Sequence, residues 1–423
     1  MSAPSRSLPE QFTMRPLAIE HDAEKLAAMW NASDAEWPGT WTRGLPYTAQ
    51  AARDWEAHQQ PLETLVCDTG TTIAGYCAWW AKPDEPSASY IAYVNVAPQF
   101  QGLGLARSML SYFVDKASTR GDLRLDLGTW SGNLKAVPLY KRCGFCWVPG
   151  TSVRMQNYLP AIVNLPCAKP FFARNSWYAT LQRPLNQAED DERWEGMGIY
   201  TYRFVAPAAQ GRESGRETGR RGDRESLITA STSLIHASSS PTLSGSSSAN
   251  ETLVARVDRE SRRITAVETA AFAAAAIVAD QEPPRGLPAP IRWRVENRGD
   301  KPLALSLIAS GSEDLRLDFR RSLTIEPGAT IELSAEIAVA AQKPLVEGGP
   351  ALVIRSLLVL DGELLELNTG LRPRSAIAPR SGAWWSVPAC RCNPRVCPSA
   401  SRLPASTRTT SGSTSSIRSQ ARA

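Results

Sequence analysis

Residues 13 to about 155 alternate between two hydrophobic periods, which predicts a mixed α/β domain. Apolar side chains recur at helical spacing in 22–30, 104–118 and 133–143. Period-two alternation is typical of strands, and the predicted strands are 13–17, 64–68, 72–80, 90–96 and 123–127. The turn Thr69-Gly70-Thr71 joins the second and third of these strands, so we expect them to pair antiparallel.

A different pattern begins after residue 250. Short alternating strands with tight turns such as Pro327-Gly328 and Asp361-Gly362 fill 253–377, without a convincing long helix. This spacing predicts a second, all-β domain, an antiparallel β-sandwich that is immunoglobulin-like in the loose architectural sense. Because the region offers no obvious polar cluster, we expect it to be an accessory domain.

The stretches between and after these domains differ in composition. Aromatic residues crowd 159–204, which indicates a segment that docks onto something, whereas Gly, Arg, Glu and Ser dominate 206–250, as in a solvated linker. The predicted organisation is an α/β domain at 12–155, an aromatic bridging segment at 156–205, a flexible linker at 206–250, the β-sandwich at 251–378 and a disordered basic tail at 379–423.

Charge and cysteine usage exclude several classes of protein. The net charge is +5, but 379–423 holds seven arginines and no acidic residue, so the remainder lies near −2. A basic surface for nucleic acid is therefore not indicated. The first twelve residues lack a signal-peptide core and no run is apolar enough to span a membrane, so we expect a cytoplasmic protein. The C-x-x-C pair Cys143 and Cys146 has no second ligand pair nearby, which favours core thiols over a metal site.

The clearest chemical signal is the run from Val94 to Ala106, a strand that leads through a glycine-rich turn into a helix. Such a turn leaves backbone N–H groups unpaired at the helix start, where the helix dipole adds partial positive charge. Small residues at 102, 104 and 106 let an anionic pyrophosphate approach the backbone. A Rossmann site does not fit, because no G-x-G-x-x-G is present and the preceding strands form a hairpin.

This run resembles the cofactor motif of the GNAT N-acetyltransferase superfamily, Gln or Arg-x-x-Gly-x-Gly or Ala, through Gln101, Gly104 and Ala106. The resemblance covers 12–155. It extends to Met14-Arg15-Pro16 with Asp22, to Ile73-Ala74-Gly75-Tyr76, and to Asn133 with Tyr140, Gly144 and Phe145. It implies a twisted mixed sheet, splayed between its fourth and fifth strands, that binds acetyl-CoA in the splay and uses no metal.

Carried over position by position, the resemblance assigns roles to individual residues. The Val96 main chain would hold the pantetheine or thioester carbonyl, and Tyr140 would protonate the departing thiolate, since a phenol stays protonated at neutral pH. Packing of the last helix is the alternative for Tyr140. Asn133 would either bind pantetheine or cap its helix. The implied cofactor-binding residues are Val94, Asn95, Val96, Gln101, Gly102, Leu103, Gly104, Leu105, Ala106, Asn133 and Tyr140.

The general base and the acceptor stay open at this stage. No carboxylate occurs in the strand 90–96, which leaves Asp84, Glu85, Asp126 or a water relayed through Tyr93 or Asn95. Aromatic residues that could wall an acceptor site and stack a planar or cationic substrate are Trp30, Trp37, Trp41, Tyr47, Trp55, Trp79, Trp80 and Trp130.

The favoured function is an acetyl-CoA-dependent N-acetyltransferase that acts on an amine of a small molecule or a protein. The alternative is a non-catalytic acyl-CoA-binding or scaffolding protein whose β-sandwich binds a partner. We expect neither nucleic acid nor a membrane as a partner, whereas the β-sandwich could bind another protein or a second copy of the chain.

Overall fold

The computed structural model describes residues 8–36, 44–130, 132–151, 154–185, 190–207, 251–339 and 351–374. These residues all fall in one compact unit. The predicted linker, apart from its first two residues, and the predicted tail lie outside the described residues, as do Trp37 and Trp41.

The first part of the chain forms a seven-stranded mixed sheet in the order β1-β2-β3-β4-β5-β7-β6. All neighbours are antiparallel except β4 and β5, which are parallel. The strands are β1 (Thr13–Pro16), β2 (Glu63–Asp68), β3 (Ile73–Ala81), β4 (Ala88–Val96), β5 (Arg124–Gly128), β6 (Cys146–Trp147) and β7 (Arg154–Asn157). This is the predicted α/β fold, and the predicted hairpin of β2 and β3 is confirmed.

Helices cover both faces of this sheet because strand side chains alternate between its faces. The helices are α1 (Ile19–Ser33), α2 (Ala49–Gln59), α3 (Leu105–Arg120) and α4 (Ala136–Arg142), with 3-10 turns at Asp34–Glu36 and Pro98–Phe100. Val66, Tyr76 and Ala78 pack under α1 and α2. Cys77 and Trp79, which alternate with Tyr76 and Ala78 along β3, point to the opposite face and pack under α3.

The predicted bridging segment forms three short helices and three strands. They are α5 (Leu159–Val163), α6 (Lys169–Arg174), α7 (Trp177–Thr180), β8 (Leu181–Gln182), β9 (Glu192–Trp194) and β10 (Met197–Val205), with a 3-10 turn at Pro166–Ala168. The segment contacts the first domain, because Trp177 Nε1 donates to Asp115 Oδ1 on α3 at 2.9 Å. It also contacts the later strands, because β10 pairs with residues 252–258.

Two antiparallel sheets make up the rest of the described chain. The strands are β11 (Thr252–Asp258), β12 (Arg263–Glu268), β13 (Phe272–Ile277), β14 (Pro288–Asn297), β15 (Leu303–Gly311), β16 (Leu315–Arg316), β17 (Asp318–Ile325), β18 (Thr330–Val339), β19 (Leu352–Leu360) and β20 (Glu363–Leu371). One sheet has the order β16-β18-β14-β13-β12-β11-β10-β8, with β9 beside β10, and the other has the order β17-β15-β19-β20. A second, all-β domain is thus present, as predicted.

The two sheets face each other around a buried tryptophan. The Trp293 ring on β14 stacks on Phe319 of β17 with centroids 4.8 Å apart. Its Nε1 donates to Ser356 Oγ on β19 at 2.8 Å. On another pair of facing strands, the hydroxyls of Thr265 and Thr369 are 3.0 Å apart. The immunoglobulin-like character of this arrangement and the domain boundaries stay predictions.

Two differences from the predicted elements have local causes. The sequence pattern did not reveal α2, because only Ala52 of this helix is buried and an apolar stripe is missing. Helix α4 begins three residues later than predicted, because residues 134–135 still form a turn and Lys135 is its N-cap residue. Its C-terminal end requires glycine at 144, where φ is +94° and a Cβ would lie 2.4 Å from the Leu159 side chain.

Candidate active site

Strands β4 and β5 lie side by side for only part of their length. They pair from Ala88 opposite Arg124 to Ile91 opposite Leu127. Beyond that point β4 continues to Val96, whereas β5 ends at Gly128. The register of β4 against β3 also shifts next to Ile91, and such a bulge bends the strand. Among the described strands, residues 92–96 of β4 therefore have no partner on the β5 side, and this unpaired edge, which we call the opening, lies where the resemblance implied the splay.

The main chain of β4 presents hydrogen-bonding groups to this opening. The amide of Ala97 donates to the Ala74 carbonyl on β3 at 2.9 Å. Because bonded residues alternate along an antiparallel ladder, Asn95 also turns its main chain to β3, and Val94 and Val96 turn theirs away from it. The Val96 carbonyl accepts Nε2 of Gln101 at 3.3 Å. Of the three predicted residues of β4, Val94 and Val96 have main-chain groups directed to the opening, and Asn95 does not.

The glycine-rich turn connects this strand end to the N-terminus of α3. Gly102 and Gly104 have φ of +81° and +87°, the left-handed region that favours glycine, and Gly104 is the N-cap residue. The Ser108 amide donates to the Gly104 carbonyl at 3.0 Å. The three amides that precede it, at positions 105 to 107, have no acceptor one turn earlier in the helix. The turn therefore presents unpaired backbone amides at the start of α3, an arrangement that suits an anion.

Arg107 lies over the same turn and was not predicted from the sequence. Its Nη2 is 3.0 Å from the position that a Cβ on Gly104 would occupy. Its Cζ lies 5.4 Å from the ring centroid of Tyr178 on α7. Among the residues that the structure describes, no carboxylate pairs with this half-buried guanidinium. A positive charge therefore stands beside the amides of the turn.

Tyr140 is held by α4 in the core next to the sheet. Its side chain is 6% exposed, and its ring meets the Phe145 ring edge-on at 6.2 Å. Burial raises the pKa of its phenol above the ordinary 10, and the neighbouring Cys77, Cys143 and Tyr90 raise that pKa further. The phenol is therefore protonated at neutral pH. Within the described ranges no side chain forms a hydrogen bond with its hydroxyl.

Asn133 lies just before α4. Its Oδ1 accepts the amide of Ala136 at 3.1 Å, and its Nδ2 donates to Thr129 Oγ1 at 3.0 Å. Its carbonyl also accepts the amide of Val137 at 3.1 Å. These bonds order the turn that leads into α4. Contact with pantetheine stays a prediction.

Residues 26–145 match the family model described as the acetyltransferase (GNAT) family. This part of the chain is a GNAT acetyltransferase domain. Its match spans β2 to β5 and contains both the glycine-rich turn and Tyr140.

Two curated relatives resemble about a third of the chain. Mycothiol acetyltransferase of Pseudarthrobacter chlorophenolicus is 30% identical over 149 residues, which are 34% of this chain and 45% of that protein. The mycothiol acetyltransferase of Arthrobacter sp. strain FB24 is 28% identical over 149 residues, which again are 34% of this chain and 45% of that protein. The chain therefore spans less than half the length of these relatives.

Solved structures also resemble the GNAT domain. The PaiA N-acetyltransferase of Thermoplasma acidophilum in complex with coenzyme A is 15% identical, with 35% of this chain and 98% of that chain covered and a TM-score of 0.27. A ribosomal-protein-alanine N-acetyltransferase of Brucella melitensis is 21% identical. The match covers 34% of this chain and 99% of that chain, with a TM-score of 0.29.

Two of the three carboxylates that the sequence offered as bases lie in an ionic cluster. Asp126 accepts from Lys82 and from Arg124, each at 2.6 Å, and Glu85 pairs with Arg124. Burial would raise the pKa of Glu85, but Arg124, Lys82 and Arg262 outweigh it and hold that pKa below its ordinary value. Both side chains are thus counter-ions. Asp84 is exposed.

A cluster of aromatic rings covers the α2 side of β4 in the GNAT domain. Tyr93 meets Trp55 at 5.7 Å and Trp80 at 5.8 Å, and Trp30 meets Trp55 at 6.3 Å. The buried Nε1 of Trp80 has no hydrogen-bond partner in the described part of the chain. Trp79, by contrast, packs on Phe113 under α3 at 5.6 Å and belongs to the core of the opposite face.

Glu56 on α2 joins this aromatic cluster and escaped the sequence analysis. Its carboxylate accepts the Tyr76 hydroxyl at 2.5 Å and the Thr64 hydroxyl at 3.2 Å. Burial raises its pKa, and these two hydrogen bonds only partly offset that rise. No lysine or arginine pairs with it among the described residues. Because α2 has no apolar stripe, the sequence pattern did not predict the helix and gave no reason to single out Glu56 on it.

Cys143 and Cys146, like the other cysteines in the described ranges, are not in disulfides, and both are buried. The described residues contain no group of three or more His, Cys, Asp or Glu side chains arranged to hold a metal ion. In the same residues, every helix is too short or too polar to cross a lipid bilayer.

Proposed function

We propose that the GNAT domain transfers the acetyl group of acetyl-CoA to an amine by direct attack. The opening beside β4 and the N-terminus of α3, which lie at the same end of one strand, carry this proposal. Pantetheine contains amide groups that can bond the main chain of Val94 and Val96, and the pyrophosphate needs the anion site at 101–106. A single extended ligand such as acetyl-CoA suits both the main chain of β4 and the turn at 101–106.

The reaction joins the amine nitrogen to the acetyl carbon and breaks the carbon–sulfur bond. The sulfur leaves as a thiolate and takes a proton. A Tyr140 hydroxyl that is protonated and has no other hydrogen-bond partner among the described residues can supply it, as the resemblance implies. The amine loses its own proton to a base or to water.

The aromatic cluster of Trp30, Trp55, Trp80 and Tyr93, with Glu56 beside it, supports an acceptor site on the α2 side of β4. Aromatic faces and a carboxylate without a cation suit an acceptor that carries positive charge before it reacts. Two relatives are named mycothiol acetyltransferases, so compounds of mycothiol chemistry belong among the acceptors tested. A cytoplasmic location and a protein partner for the β domain remain part of this proposal.

The test has two steps that separate binding from catalysis. Calorimetry first measures acetyl-CoA affinity for the full chain. The protein is then incubated with acetyl-CoA and an amine library, and mass spectrometry searches for products heavier by one acetyl group. Binding with transfer supports the proposal. Binding without any acetylated product from a broad library supports the non-catalytic alternative, and absence of binding contradicts both.

A further inference from the structure

The segment that follows the GNAT domain reaches back to the phosphate-binding turn. Helix α7 lies beyond residue 145, where the family match ends. Nevertheless its Tyr178 ring lies under the Arg107 guanidinium, with the Cζ atom 5.4 Å from the ring centroid. Arg107 is the third residue of α3 and stands over Gly104. A part of the chain outside the family domain thus contacts the cofactor turn.

Helix α7 is anchored on two sides. Its Trp177 donates an indole hydrogen bond to Asp115 of α3 at 2.9 Å. The Trp177 and Tyr178 rings also meet at 5.6 Å. On the other side α7 leads directly into β8, which pairs through Leu181 and Phe204 with β10, and β10 pairs in turn with β11 of the second domain. The position of Tyr178 is therefore fixed by α3 and by the β domain together.

Arg107 has the properties of an anion-binding residue held in place. Its guanidinium is half-buried, and in the described part of the chain it has an aromatic neighbour but no carboxylate partner. A cation on an aromatic face keeps its full charge and its N–H groups, whereas a carboxylate would neutralise it. The tyrosine thus orients the arginine without competing with a phosphate.

We propose that Tyr178, supplied by the β-domain side of the chain, holds Arg107 against the cofactor turn so that the guanidinium binds the pyrophosphate of acetyl-CoA. The proposal rests on the proposed function. It assigns the second domain a role in cofactor binding, because that domain fixes α7. Tyr178 is then a positioning residue that acts through Arg107.

The experiment is a double-mutant cycle measured as acetyl-CoA Kd by calorimetry on the full chain. Arg107→Ala should weaken binding by about 10- to 100-fold, the scale of one hydrogen-bonded charge. Tyr178→Leu keeps an apolar side chain but removes the aromatic face, so binding should weaken by about 3- to 10-fold. Tyr178→Phe keeps the face and should bind like the wild type. In the Arg107→Ala background, Tyr178→Leu should have no further effect.

Lys116→Ala is the matched control, because Lys116 makes the same kind of contact with Tyr112 on the same helix, at 5.1 Å, away from the turn. It should leave Kd unchanged. Losses that add in the double variant, or a Tyr178→Leu protein that binds normally, would overturn the inference while the proposed function stands. A wild-type protein without measurable acetyl-CoA affinity would instead overturn the proposed function itself.

Discussion

Tyr140 can be tested for a chemical role because phenylalanine preserves its packing. If its hydroxyl protonates the leaving thiolate, Tyr140→Phe should leave acetyl-CoA Kd nearly unchanged and lower kcat by roughly 10²-fold or more. The reason is that the proton is needed only as the carbon–sulfur bond breaks. Steady-state kinetics with an acceptor found in the library, together with calorimetry, measures both quantities.

The control for Tyr140 is Tyr112→Phe on α3, which removes a hydroxyl that donates to Glu63 of β2 at 2.6 Å. This variant should keep kcat. A Tyr140→Phe enzyme with near-normal turnover would mean that the tyrosine only packs and that the proton comes from water or another group.

Gly104 tests the cofactor turn itself. Gly104→Glu places bulk and negative charge where the pyrophosphate would lie, so acetyl-CoA binding should be lost. Gly70→Glu is the control, because Gly70 has a similar positive φ of +91° in the hairpin between β2 and β3. That variant carries the same conformational strain and charge but should bind normally. Equal affinities of the two variants, measured by calorimetry, would place the cofactor elsewhere.

At the residue scale, the sequence revealed those candidate site residues that lie together in one contiguous motif. The turn from Gln101 to Ala106 is a local pattern, and its glycines appear where the backbone needs positive φ. Glu56, Arg107 and Tyr178 belong to the site through contacts between distant parts of the chain, and such contacts leave no mark in a single sequence. The same holds for Asp126, whose pairing with Lys82 changes it from a candidate base to a counter-ion.

At the scale of elements, an ionic cluster joins β1, α1 and β2. Arg15 donates to both carboxylate oxygens of Asp22, at 2.6 and 2.8 Å, and to Asp68 at 2.6 Å. The hydrogen bonds from Arg15 lower the pKa of Asp22 below its ordinary 3.8, although burial opposes the shift. The folded state therefore favours the ionised form. The stabilisation is complete above the pKa that Asp22 has in the unfolded chain. It is lost as the pH falls through the lower pKa that Asp22 has in the folded protein.

We expect Asp22→Asn to lower the free energy of unfolding by about 1–3 kcal/mol at neutral pH. The difference from the wild type should persist down to about pH 5 and shrink as the pH falls below 3.8, because Asp22 of the unfolded chain then binds a proton, and it should vanish once the folded carboxylate is protonated too. Urea unfolding followed over this pH range measures it. Glu20→Gln, in the same turn of α1 but largely exposed, should change stability little. A pH-independent difference would contradict the ionic account.

Strands β1 to β5 of the GNAT sheet were predicted to within a few residues because their hydrophobic periods are strong, whereas the short strands β6 and β7 were not predicted. Helix α2 was missed, since its side chains are mostly polar or small and its place is fixed by Glu56 and Trp55 contacts. In the bridging segment, the aromatic composition indicated docking but not the strand β10. That strand is defined by its partner, which follows more than forty residues later.

At the scale of the molecule, a buried ionic cluster connects the GNAT domain to the segment that follows it. Asp190 accepts from Lys141 of α4 at 3.4 Å, from Arg183 at 3.4 Å and from the Trp147 amide at 2.7 Å. Lys141 is fully buried. Arg183 Nη1 also lies 2.8 Å from the Cys146 sulfur. Two cations from different parts of the chain thus share one carboxylate.

Asp190→Ala should destabilise the protein by about 2–4 kcal/mol, because it removes the carboxylate that both buried cations contact. Asp191→Ala is the matched control, since Asp191 is 64% exposed and pairs only with Arg259 in the described structure. Its effect should stay below about 1 kcal/mol. Chemical denaturation monitored by fluorescence and circular dichroism should give one transition for wild type. Two separable transitions would show that the domains unfold independently. Equal effects of the two variants would contradict the role given to Asp190.

The pairing of β10 with β11 has a consequence for how this chain can change in length. Val205 and Thr252 are opposite one another in a regular antiparallel ladder, although residues 206–251 separate them. The entropy of closing a connection grows only with the logarithm of its length, so doubling it would cost only about 0.6 kcal/mol. With the flexible linker that the sequence predicts at 206–250, we expect the hairpin to gain or lose tens of residues while its strands keep their register. This position can accept inserted sequence, such as a reporter peptide, with little cost to the fold.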